Sequence, residues 1–178
     1  ALSEGEDFEC FDFNLFTGNA LSFNWQNCIT NFKGFDLIIG NPPYVCSRNI
    51  SEDSKKLLDN WKVCKSGHPD LYIPFFQIGI ENLTSNGILG YITMNTFFKS
   101  VNGRALREYF QEGQLRFKII DFGSNQIFSS KSTYTCICFI ENLPSSFIEF
   151  ARSNKKLNNV LFNKIKYSKL DAFKGWNL

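Results

Sequence analysis

Phe35-Asp36-Leu37-Ile38-Ile39-Gly40-Asn41-Pro42-Pro43-Tyr44 is the stretch that decides how this chain is read. Leu37 to Ile39 is a short apolar run of branched residues, which predicts a buried strand. Gly40 ends it, and a tight turn follows. Two successive prolines remove two backbone N–H donors from that turn. The residue before a proline is also pushed out of the helical region, so Asn41 and Pro42 are both expected to be extended. Their carbonyl oxygens then lack neighbouring amides to quench them. Asn41 adds a side-chain carbonyl and Tyr44 a flat aromatic face. The turn leaves the carboxyl end of a strand, where open α/β sheets place their ligands. Such a pair of acceptors suits an exocyclic amine on a planar ring. The acceptors take its two N–H bonds and draw its lone pair out of conjugation. The nitrogen can then attack an electrophile fixed in line with it, while the ring stacks on the tyrosine. For an isolated Asn-Pro-Pro-Tyr, a turn that merely stops a strand is an equal alternative. The preceding Phe-Asp-Leu-Ile-Ile-Gly shifts the balance.

Asp36 to Tyr44 resembles the catalytic motif of amino-group methyltransferases that use S-adenosylmethionine. More narrowly, the chain is similar to bacterial adenine-N6 DNA methyltransferases of the gamma arrangement, from restriction–modification systems. The likeness runs from about Thr17 to Glu141. It implies an α/β, Rossmann-like methyltransferase core, present in part. It also implies that the Asn41 side chain and the Pro42 carbonyl hold the target amine, that Asn41 lies beside the cofactor, and that Tyr44 stacks on a flipped adenine.

At 178 residues the chain is one domain or part of one, long enough for a real core. Hydrophobic residues make up 43%, and the 20 phenylalanines favour buried strands and stacking surfaces. A net charge of +2 sets up no global field that demands a polyanion. No run is long enough to span a membrane, and no signal peptide is evident. The six cysteines form no Cys-x-x-Cys pair and read as reduced cytosolic thiols, mostly core filler. With His68 the only histidine, a zinc site is not expected.

Two features are missing. No Gly-x-Gly turn precedes the organising stretch, and no acidic residue for ribose binding follows a second strand. Ala1 is not a methionine. The resemblance therefore implies that the family's first two strands and their cofactor motifs lie upstream of Ala1, and a specificity domain downstream of Leu178. Residues 1–145 are read as a partial catalytic domain, and 146–178 as a basic segment leading to a recognition domain.

Along the chain, Phe8 to Phe16 alternates as a strand. Thr17-Gly18-Asn19-Ala20-Leu21 is a turn, and the family usually has Gly-Asp-Ala-Leu there, whose carboxylate binds the amino group of the cofactor's adenine. The resemblance gives that role to Asn19, uncharged but still an acceptor; a plain turn residue is an equal reading. Val45 to Pro69 is a polar loop, apart from a short helix that could begin at Ser51. It reads either as a lid with Arg48, Lys55 and Lys56 near DNA phosphates or as a solvated loop. Pro69-Asp70 opens a helix capped by Asp70, running to Asn86-Gly87. By resemblance Phe75 packs on the cofactor's adenine, or else it is core.

Gly87 to Thr93 is a strand, and Gly103 to Glu112 a helix capped by Asn102 and Gly113. Arg104 and Arg107 are read as solvated. Phe117 to Phe122 and Tyr134 to Ile140 are strands whose short link suggests an antiparallel terminal hairpin. By resemblance an aromatic residue before the last strand faces the flipped base opposite Tyr44; Phe128 matches by position, with Tyr134 as alternative. After Pro144 the pattern weakens.

The reading is methyl transfer from S-adenosylmethionine to adenine N6 in double-stranded DNA, with the base flipped out of the helix. Endonuclease and specificity domains are possible in the same polypeptide or complex. Two alternatives stay open. One is a protein-glutamine N5 methyltransferase, which shares the Asn-Pro-Pro-Tyr turn. The other is a DNA-binding fragment, inactive on its own, that binds S-adenosylmethionine weakly or not at all.

Overall fold

The computed structural model describes residues 14–124, 134–154, 157 and 160–178. Among these, six strands form one mixed sheet: β1 (Phe35–Gly40), β2 (Leu83–Met94), β3 (Leu115–Asp121), β4 (Thr135–Pro144), β5 (Phe147–Arg152) and β6 (Asn163–Lys166). The spatial order is β1-β2-β4-β3-β5-β6. β1 runs parallel to β2, and β4 lies antiparallel between β2 and β3. The expected antiparallel β3–β4 hairpin is therefore present, and the α/β mixed-sheet class stands.

Three helices connect the strands: α1 (Glu52–Leu58), α2 (Ile73–Glu81) and α3 (Arg104–Gly113). Ser51 accepts from the Ser54 N–H and so starts α1, as its position suggests. One face of the sheet, with Leu89, Tyr91, Phe117, Ile119, Cys136 and Cys138, packs on Phe76 and Ile80 of α2 and Leu106 and Phe110 of α3. Periods of two and 3.6 meet in that layer.

Several expectations change. Leu37 to Ile39 is not a buried strand: Leu37 is 58% and Ile39 77% exposed. Among the described residues β1 is an edge strand, and Leu37 and Ile39 share the face of Ile88 and Phe139, away from the helices. Only Ile38 turns inward to the core. Asp70 does not cap a helix. α2 begins two residues beyond Leu71, with Tyr72 at its N-cap, and the Asp70 carboxylate instead accepts from the Ser47 N–H at 2.9 Å. α2 also stops at Glu81, because β2 begins at once at Leu83. α3 is not capped by Asn102 or Gly113. Ser66, from the preceding connection, accepts from the Ala105 N–H at 2.9 Å, and Gln114 takes the left-handed position at φ 44°.

Residues 45–69 are not a loose lid. Ile50 and Leu58 pack with Leu21 in a second small core, and the Val63 N–H donates to Gln77. Arg107 is fully buried rather than solvated; it donates to the carbonyls of Phe97, Ser100 and Ala172. Beyond Pro144 the chain adds β5, parallel to β3, and then β6. Trp176 returns to the core between Phe97, Phe110 and Phe117. Two of the described cysteines, Cys28 and Cys46, are exposed rather than core. Of the predicted strand from Phe8 to Phe16, the described residues 14–16 lie in no strand. No helix among the described residues is long and apolar enough to cross a membrane.

Candidate active site

Asn41 leaves the carboxyl end of β1 with its side chain exposed, while Pro42 is buried beneath it. The Pro43 carbonyl is taken by the Val45 N–H at 3.0 Å. Among the described residues no hydrogen bond reaches the Pro42 carbonyl or the Asn41 amide. Pro42 and Pro43 carry no N–H, so this is the outcome the two prolines dictate. Two acceptors without partners among the described residues therefore follow one another directly after β1. The turn is pinned from below: Leu71 N–H donates to the Val45 carbonyl at 2.9 Å, and Asp70 holds the Ser47 amide. The sequence pattern gives Asp70 to a helix cap instead.

The Tyr44 side chain is half-buried, and its hydroxyl is buried without a partner among the described residues. Burial first, then the neighbouring Cys136 and Cys138, push that hydroxyl up to about 12. Tyr44 therefore stays neutral well into alkaline pH. Tyr72, held by Thr96 at 3.1 Å, is raised for the same leading reason and is structural.

A cavity of about 270 Å³ lies between β1, β2 and α2, lined by Gly18, Ala20, Trp25, Ile38, Phe75 and Gly79 among others. It brings the Asn19 turn and Phe75 to one place. Gly79 lets α2 lie close on β2 beside the cavity, since a Cβ there would stand 2.1 Å from Leu89 Cδ1. An aromatic group of Phe16, Phe23, Trp25, Phe32 and Phe35 closes its outer side. Asn19 itself is exposed and accepts from the Leu21 N–H at 3.0 Å, which leaves one lone pair of its oxygen for a ligand. This small apolar slot fits a planar purine. Asn41, Pro42 and Tyr44 do not line it.

Arg48, Lys55 and Lys56 surround a separate cavity of about 670 Å³, next to the residues after Tyr44. Lys55 is paired with Glu52 at 2.7 Å and Lys56 with Asp53 at 3.7 Å. Arg48 is exposed and carries no ion pair among the described residues, so it is the strongest cation of the three. Phe128 lies outside the described residues.

The profile of the Eco57I restriction-modification methylase family matches residues 4–128, well over half of the chain. The chain belongs to that family. Among its relatives, the "Type II restriction enzyme and methyltransferase RM.Eco57I" of Escherichia coli is 39% identical over 115 residues. That match covers 63% of this chain and 11% of the relative. The type II methyltransferase M.HincII of Haemophilus influenzae is 36% identical over 106 residues, 58% of this chain and 21% of the relative. The Eco57I-family chain thus spans a small part of these relatives' length. In fold it is similar to the type IIL restriction-modification enzyme MmeI, solved in complex with DNA, with a TM-score of 0.67 and 16% identity. That likeness covers 92% of this chain and 22% of the other.

Proposed function

We propose that the full-length protein transfers a methyl group from S-adenosylmethionine to the N6 amine of an adenine flipped out of double-stranded DNA. What carries this reading is the pair of unoccupied acceptors at Asn41 and Pro42, beside the Tyr44 ring, in a member of a DNA methylase family. Adenine N6 offers two N–H bonds, one for each acceptor. Accepting both holds the amine pyramidal and directs its lone pair out of the ring plane, to the side where the methyl donor would sit. Tyr44 stacks on one face of the ring, and Phe128 is placed on the other by the sequence resemblance. When bound, the cofactor supplies a methyl carbon on a positively charged sulfur. Asn41 and Pro42 would hold the amine so that its nitrogen could take that methyl, with the C–S electron pair left on sulfur. The proton then leaves the methylated nitrogen, so no strong base is required beside Asn41.

Phe75 and the Asn19 turn would take the cofactor's adenine in the apolar slot, with Asn41 next to its reactive end. Arg48, Lys55 and Lys56 would contact DNA phosphates, Arg48 most strongly because the two lysines already have carboxylate partners. A recognition domain reached through residues 146–178, and an endonuclease such as the name of RM.Eco57I states for that relative, would share the polypeptide or complex. Nucleoside analysis of DNA methylated by the full-length protein tests the base assignment. N6-methyladenine is expected; methylcytosine alone would refute it.

A further inference from the structure

Asp121 ends β3 and is only 5% exposed, so its charge requires partners. It has three. Oδ1 accepts from Asn95 Nδ2 at 2.6 Å and from the Gly123 N–H at 3.1 Å, and Oδ2 lies 3.8 Å from Arg152 Nε. These groups leave the ends of β2, β3 and β5. One carboxylate therefore ties together three connections on the edge of the sheet that also carries Asn41. It also sets an orientation. An ionised carboxylate only accepts, so Asn95 must give it the NH₂ end and turn its own carbonyl oxygen elsewhere.

Asn95 opens the turn Asn95–Phe98, whose next residue, Thr96, holds Tyr72. The Asn95 N–H in turn donates to the Tyr134 carbonyl, at the entry to β4. Along the sheet, Asp121 pairs with Cys136 and Cys136 with Thr93. Thr96 holds Tyr72, and the residue before that tyrosine, Leu71, donates its N–H to the Val45 carbonyl just after Tyr44. The carboxylate is thus joined to the backbone that follows Tyr44 by side chains and main chain together.

We propose that Asp121, acting through Asn95, is a positioning residue for methyl transfer: it fixes the turn Asn95–Phe98 and, through Thr96, Tyr72 and Leu71, the backbone that follows Asn41–Tyr44. This rests on the methyl-transfer reading above. Asn95→Asp in the full-length enzyme sets a second carboxylate against the first. The single-turnover methylation rate should fall roughly 100-fold, the scale of a 1 Å misplacement, with KM for DNA and cofactor within about threefold. Adding Asp121→Asn restores the bond with its polarity reversed. It should return at least roughly tenfold, a coupling of the size found for side chains in contact. Two results would overturn the inference while Asn41→Ala still abolishes activity. One is an unchanged rate for Asn95→Asp. The other is a loss that follows melting temperature, raises KM alongside and is not rescued by the second substitution. A wild-type enzyme that methylates nothing would instead remove the methyl-transfer reading itself, and this inference with it.

Discussion

Replacing Tyr44 by Phe removes one oxygen and leaves the ring. That oxygen is buried without a partner among the described residues, beside two cysteine thiols that are weak donors and acceptors at best. Leaving a buried hydroxyl unbonded costs about 1–3 kcal/mol. Phe removes that penalty and leaves only an oxygen-sized gap. Tyr44→Phe should therefore raise stability by about 1 kcal/mol, seen as a higher urea midpoint with an unchanged slope. Methylation should stay within about twofold of the parent rate, because the stacking face is intact. Tyr44→Ala removes that face. Stacking is worth about 1–3 kcal/mol per base, so base flipping and turnover should fall roughly five- to 150-fold. A Tyr44→Phe enzyme that loses stability, or that loses tenfold in rate, would refute the reasoning: the hydroxyl would then have a partner that matters.

Other consequences are as direct. Arg107→Met takes the donor from the carbonyls of Phe97 and Ala172, while the Ser100 carbonyl keeps the Gly103 N–H; urea titration should show a loss of about 1–3 kcal/mol for each of those two carbonyls, against under about 1 kcal/mol for Arg104→Met, whose main contact is the Phe173 ring. Gly79→Ala pushes a methyl into Leu89 and narrows the apolar slot; it should cost about 1–3 kcal/mol and weaken cofactor binding, read by calorimetry on the full-length enzyme. Tyr44, Tyr91 and Tyr109 are each raised to about 12 by burial. The folded state therefore keeps their protons longer than the unfolded chain, where they leave near 10. Their stability contribution is full below about pH 10 and is lost as pH climbs toward 12, so urea midpoints should decline across that window.

The site was more legible in the sequence than its supports. Asn-Pro-Pro-Tyr is a local device, since the prolines leave the Pro42 oxygen free whatever surrounds it. β3 and α3 were legible from their own periods to within about two residues at the ends, while β4 runs four residues past the expected Ile140. What failed depended on distant parts of the chain. Leu37 and Ile39 read as buried from their apolar run, but burial depends on which strand lies alongside, and β1 is an edge here. Asp70 had the right composition for a cap; its carboxylate was taken by Ser47, 23 residues away in sequence. Arg107 looked like any surface arginine on an amphipathic helix until the end of the chain folded back over it. β5 and β6 are short and bear lysines, and their pairing is set by β3 rather than by their own pattern. The pairing of Asp121 with Asn95 gave no sequence signal, because it depends on β2, β3 and β4 lying side by side.

The amine grip is tested most directly by Asn41→Ala in the full-length enzyme, with labelled S-adenosylmethionine and target DNA. Losing a preorganised hydrogen-bonding group of this kind should lower the methylation rate by about 100- to 1000-fold or more, with DNA affinity within about twofold. Methylation that persisted near the wild-type rate would contradict the role given to the turn at Asn41.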